Sequence, residues 1–149
     1  MLYLDTSALV KLYVDESKSE VVKDAVGQSD AVATSLLAYT EARAAFARSR
    51  REGKLGPQAY RMIIGAFDED WSRYVAVEVT DGLAKAAGLL AETRALRGYD
   101  ALHLASALRL QSRIPVPMSF MAFDRHLMNA ARLEGLSSPA DLKRGTGDS

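Results

Sequence analysis

Four short apolar runs, Met1–Leu4, Ala31–Thr34, Val75–Val79 and Met118–Phe123, are separated by long stretches whose apolar residues recur with helical spacing. Neighbouring runs lie too far apart in sequence to be joined as hairpins. The strands they predict must therefore be connected by helical crossovers. This spacing predicts an α/β fold, a central and mainly parallel sheet between helices. In such a sheet every strand-to-helix junction lies on one edge, and ligands bind along that edge.

The first run ends in an acid, Leu2-Tyr3-Leu4-Asp5, and the hydroxyl pair Thr6-Ser7 follows it. A helical stripe through Ala8, Leu9, Leu12 and Tyr13 predicts a helix over Ser7–Val14, with Thr6 or Ser7 as its N-cap. Further helices are expected around Val21–Val26, over Leu36–Gly53, over Gln58–Tyr74 with Pro57 near its first turn, and from a Thr80 cap to about Leu96. Asp100 opens another. A short helix after Asp124 stops at Gly135. Residues 1–142 read as one domain, and 143–149 as a frayed tail.

Composition matters here for what it excludes. The formal net charge of the 149 residues is zero, which argues against a chain that coats nucleic acid through bulk positive charge. A local basic patch that grips a few phosphates remains compatible with it. There is no cysteine, so disulfides, thiolate metal sites and cysteine nucleophiles are ruled out. No apolar run is long enough to span a membrane and no basic leader precedes the first strand, so the expected location is the cytoplasm.

Four acids stand in related settings. Asp5 and Asp124 follow predicted buried strands, Asp100 begins a helix after Gly98-Tyr99, and Glu41 lies on the long third helix, one turn past Leu37. Carboxylates gathered on one sheet edge raise one another's pKa or require a cation. Hard oxygen donors without a histidine- or cysteine-rich spacing point to Mg²⁺ or Mn²⁺ rather than zinc. A divalent ion in an acid cluster is suited to phosphodiester hydrolysis. Arg43, Arg48, Arg97 and Arg125 lie near the acids in sequence and are candidates for contacts to flanking phosphates.

Each acid also has a purely structural reading. Asp5 and Asp100 are favoured N-cap residues, Asp124 suits a turn, and Glu41 suits a solvated helix face. His103, three residues after Asp100, either flanks the site or serves in helix packing or capping.

The motifs together resemble the PIN-domain family. Leu4-Asp5-Thr6-Ser7-Ala8-Leu9-Val10-Lys11 looks like its opening, and Thr40-Glu41-Ala42-Arg43-Ala44-Ala45 like its second acidic motif. Gly98-Tyr99-Asp100-Ala101-Leu102-His103-Leu104-Ala105-Ser106-Ala107 resembles the third and is the most specific of the set. Phe123-Asp124-Arg125-His126-Leu127, with Ala130-Ala131 and Gly135-Leu136, resembles the fourth. A single short domain of this kind is similar to the toxin component of VapBC-type toxin–antitoxin pairs. The resemblance implies a PIN-like three-layer α/β/α sandwich and a metal-dependent endoribonuclease. It implies Mg²⁺ or Mn²⁺ held by Asp5, Glu41, Asp100 and Asp124, with the hydroxyl of Ser7 or Thr6 supporting the first acid or a metal-bound water. It also implies an RNA substrate, a homodimer, and an antitoxin whose tail occupies the acidic groove.

Two other functions compete. A haloacid-dehalogenase-type phosphatase would use Asp5 as nucleophile, but the position two residues on, where that chemistry needs an acid, is Ser7. A non-catalytic RNA-binding or interaction module of PIN-like fold is the other, although such a module would normally have lost one or more of the acids.

Overall fold

The computed structural model describes residues 1–141. The tail expected over 143–149, and residue 142 at the end of the expected domain, lie outside the described residues. Strands β1 (Leu2–Leu4), β2 (Val32–Ser35), β3 (Val75–Val77) and β4 (Ser119–Met121) form one sheet in the order β3-β2-β1-β4. All three pairings are parallel, with Leu2 opposite both Val32 and Ser119, and Ala33 opposite Val75. The expected parallel sheet is therefore present. β3 and β4 are shorter than their apolar runs, so Phe123 and Asp124 follow β4 after a short bend rather than directly.

Side-chain alternation along the strands divides the core in two. Tyr3, Ala33 and Phe120 face one layer, with helices α5 (Asp81–Arg94), α6 (Gly98–Arg113) and α7 (Arg125–Leu133) packed over them. Leu2, Leu4, Val32 and Met121 face the other, beneath α1 (Thr6–Val10), α2 (Ser19–Gly27), α3 (Leu37–Arg51) and α4 (Pro57–Trp71). Every residue of β1 is fully buried, as a central strand covered on both faces requires. An aromatic knot fastens the second layer. Phe67 of α4 lies 5.2–5.6 Å, ring centre to ring centre, from Tyr13, Tyr39, Phe46 and Trp71.

Several helix ends differ from the sequence expectation. The first helix is only five residues long and its N-cap is Asp5, whose carboxylate accepts from the Ala8 N–H; Thr6 and Ser7 lie inside it. Thr80 caps α5 as expected, accepting from the Leu83 N–H, and Pro57 sits in the first turn of α4. Helix α6 begins two residues before Asp100, with Arg97 at the N-cap position, so Asp100 is a first-turn residue and not a cap. Gly135 adopts φ +91° just past α7, a conformation that costs a side chain but not glycine. On α3 the buried stripe is Ala38, Ala42 and Phe46, and Leu37, Glu41, Ala45 and Arg48 form a neighbouring stripe. That second stripe runs beside the core and borders a cleft.

Candidate active site

The carboxyl ends of β1 and β4 are adjacent, and the Asp5 N–H donates to the Met121 carbonyl at 3.2 Å. Over this edge lies an open cleft of about 720 Å³. Asp5, Glu41, Asp100 and Asp124 all line it, each from a different part of the chain. Ser7, Arg48 and Arg97 line it too.

Each acid is held in its own way. Asp5 is only 5% exposed. Its carboxylate accepts from the Ser7 hydroxyl at 2.8 and 3.0 Å and from the Ala8 N–H at 2.9 Å. Burial pushes its carboxyl above the ordinary value. The Ala8 hydrogen bond, His103 and Ser7 oppose that rise, and the Asp100 charge adds to it. The Ser7 proton points at the Asp5 carboxylate, so Ser7 supports this acid and cannot replace the acid that a phosphatase would need.

Glu41 accepts from the Thr6 hydroxyl at 2.8 Å, and His103 Nε2 lies 3.5 Å from the same carboxylate oxygen. His103 first, and Thr6 after it, hold the Glu41 carboxyl below its usual value against the opposing pull of burial. Asp100 accepts from Arg97 Nε at 3.0 Å, and Arg97 Nη2 reaches Asp124 at 3.5 Å. The Asp124 carboxylate also accepts from the Leu127 N–H at 2.9 Å and caps α7. Asp5 and Asp124 thus serve as caps and cleft acids at once.

The acids share the cleft but do not form a ready-made cage. Among the described residues, no group of three or more His, Cys, Asp or Glu side chains is drawn together tightly enough to hold a metal ion. The reason is visible in the contacts: Arg97 draws Asp100 and Asp124 to itself, Ser7 and Ala8 hold Asp5, and Thr6 holds Glu41. The donor set nevertheless has the chemistry of a Mg²⁺ or Mn²⁺ site, all carboxylate oxygen, and Mg²⁺ retains several of its own waters.

The candidate arginines divide. Arg48 stands at the rim, paired with Glu52 at 3.1 Å. Arg97 is inside the cleft with its guanidinium committed to acids. Arg43 is turned away, bound to Asp68 at 3.1 Å and lying over the Tyr39 ring. Its nearness to Glu41 in sequence does not bring it to the cleft, because two residues on a helix point about 200° apart. Arg125 is exposed and does not line the cleft. The cleft also holds polar residues beyond the candidate set, among them Lys11, Glu16 and Tyr99, and it includes His103, for which a place beside the site was one of two expectations. Helical spacing was the available signal, since Lys11 is one turn past Ser7 and His103 one turn past Asp100.

A model of the PIN domain matches residues 2–133. The chain belongs to the PIN-domain family. Among the relatives of this PIN domain are ribonucleases VapC45 and VapC49 of two Mycobacterium tuberculosis strains. Each is 35% identical over 143 residues, spanning 95% of this chain and 97% of the relative. Ribonuclease VapC47 of the same species is 29% identical and covered along its whole length. In fold, the PIN domain is similar to a chain in the crystal structure of FitAcB from Neisseria gonorrhoeae. The TM-score is 0.66 at 15% identity, over 94% of this chain and 99% of that one.

Proposed function

We propose that this protein cuts RNA internally, using Mg²⁺ or Mn²⁺ bound among Asp5, Asp100 and Asp124, and that it is the toxin of a toxin–antitoxin pair. That it is a VapC-type PIN ribonuclease rests on the family match and on relatives of that name aligned over nearly the full chain. The observation that carries the finer reading is the meeting of four acids, distant in sequence, in one cleft at the carboxyl edge of a parallel sheet.

The metal, when bound, supplies charge neutralisation at the scissile phosphate and acidifies a water. The chain supplies the rest. Ser7 and the Ala8 N–H hold the Asp5 carboxylate in place. Glu41, kept ionised by Thr6 and His103, binds the metal or orients the attacking water. Lys11 and Arg48 at the rim offer positive charge to the phosphates on either side of the cut.

The antitoxin reading has support in the cleft itself. Its acids already accept a guanidinium, that of Arg97, so a basic side chain from a partner's tail would meet the same oxygens. A homodimer belongs to this reading and is checked by sedimentation. No helix among the described residues is long and apolar enough to cross a membrane, and we place the enzyme in the cytoplasm with its RNA.

The test is cleavage of a cellular RNA pool by the purified protein with Mg²⁺ or Mn²⁺, with EDTA, and with Asp5→Asn and Asp100→Asn. Discrete fragments that require the metal and disappear in both variants are expected. Cleavage that survives either substitution would remove that acid from the mechanism, and tight RNA binding without any cleavage would favour the non-catalytic module.

A further inference from the structure

A hydrogen-bonded chain runs from the middle of the core to Glu41. Tyr3, fully buried on β1, stacks on Phe120 with ring centres 5.5 Å apart. Its hydroxyl lies 2.8 Å from His103 Nδ1 on α6. His103 Nε2 lies 3.1 Å from Thr6 Oγ1 on α1, and Thr6 Oγ1 donates to Glu41 Oε1 on α3 at 2.8 Å. His103 is 4% exposed.

Donor counting fixes the direction of this chain. An ionised carboxylate only accepts, and a hydroxyl has one hydrogen. Thr6 gives its hydrogen to Glu41, so at its other contact it must accept. His103 must then carry a hydrogen on Nε2, which holds in either protonation state of the ring. In the neutral ring Nδ1 is bare and takes the Tyr3 hydrogen. Every donor then points toward Glu41, and no buried side-chain nitrogen or oxygen in the described residues lacks a partner.

We propose that His103 is a positioning residue for cleavage: its Nε2–H holds Thr6 as an acceptor, which obliges Thr6 to donate to Glu41 and fixes the orientation of that carboxylate. The inference rests on the reading of Glu41 as a cleavage residue. Without the imidazole, the Thr6 hydroxyl is free to rotate away, and Glu41 loses its aim toward the water or ion it serves. Partners one step behind a functional ligand commonly matter by about ten- to a hundredfold.

The experiment compares His103→Leu, His103→Asn and His103→Gln, with Thr6→Val and the double variant Thr6→Val/His103→Leu. All are first checked for an intact cooperative melt. A glutamine amide reaches the position of Nε2 and restores the donor, whereas an asparagine amide reaches only that of Nδ1. We expect kcat to fall about ten- to a hundredfold in the leucine and asparagine variants with KM little changed, and to recover in His103→Gln. The double variant should lose less than the product of the two single losses, because both changes break one chain, although His103 Nε2 also lies 3.5 Å from Glu41 itself. A glutamine variant as slow as leucine, or losses that multiply in the double variant, would overturn the proposal. If His103→Leu does not fold, Thr6→Val and His103→Gln decide the matter. A long-range ¹H–¹⁵N spectrum of the His103 ring reads the chain without reference to activity: hydrogen on Nε2 is expected, and a ring protonated on Nδ1 alone refutes it. Wild-type protein that cleaves no RNA would sink the nuclease reading, and the spectrum would still decide the hydrogen-bond chain.

Discussion

Asp5 carries a conflict that its substitution exposes. As an N-cap it stabilises α1, but as a buried anion it opposes folding. Because its folded pKa lies above the unfolded value, the folded state takes up the proton first. Stability therefore rises as pH falls through the folded pKa, and the gain is complete below the unfolded one. Asn keeps the capping oxygen and removes the charge. In EDTA at neutral pH, Asp5→Asn should melt a few degrees above wild type, and the two should converge at acidic pH. A variant less stable at both pH values would show that the carboxylate's hydrogen bonds outweigh its burial. Glu41 has the opposite sign: its lowered pKa contributes stability above the unfolded value, lost as pH falls through the folded one, so the cost of Glu41→Gln should shrink on acidification. Arg97 is the internal competitor for Asp100 and Asp124. Its side chain is 79% exposed, so the pairs are weak, and Arg97→Ala should tighten Mn²⁺ binding by only about two- to fivefold in a titration. Asp5 and Asp124 stood out in the sequence because an acid after a buried strand is a costly placement, whereas Asp100 and Glu41, on helices, carried no such signal of their own. The commitment of Arg97 was not legible, since a basic residue beside an acid motif reads equally as a phosphate contact or as its partner.

At the scale of elements, the four strands and the crossover helices followed from periodicity and length, and their order placed Asp5 beside Asp124. What periodicity left open was rotation. On α3 the small residues Ala38 and Ala42 form the buried face with Phe46, leaving the Glu41 stripe to border the cleft. Alanines populate several faces of this helix, so composition alone gave no preference among them. The first helix was overestimated because Leu12 and Tyr13 continue an apolar pattern through turns rather than helix. The aromatic knot gives the α3–α4 layer its own test. Phe67 is fully buried among four aromatic neighbours, and Phe67→Ala should cost about 3–5 kcal/mol in urea unfolding. A loss below about 1 kcal/mol would mean that the neighbouring rings collapse into the space.

Over the whole molecule, acidic and basic residues balance, so the proposed function draws its attraction to RNA from the rim of the cleft and not from net charge. Affinity should fall gently with salt, and Lys11→Gln should reduce the slope of log K against log salt by about 0.7, the contribution of one phosphate on a single strand. An unchanged slope would place Lys11, which already pairs with Glu16 at 3.1 Å and lies over the Phe123 ring, outside the RNA path.

The pairing of β1 with β4 joins segments far apart in sequence: the amino group of Met1 donates to the Pro117 carbonyl, and Leu2 lies opposite Ser119. Asp5 and Asp124, far apart in sequence, therefore meet only when β4 docks on β1. Such long-range closure is slow to form relative to local helical contacts. The cleft is thus closed by tertiary docking of β4 on β1, so any change that loosens that pairing separates Asp5 from Asp124 without touching either acid.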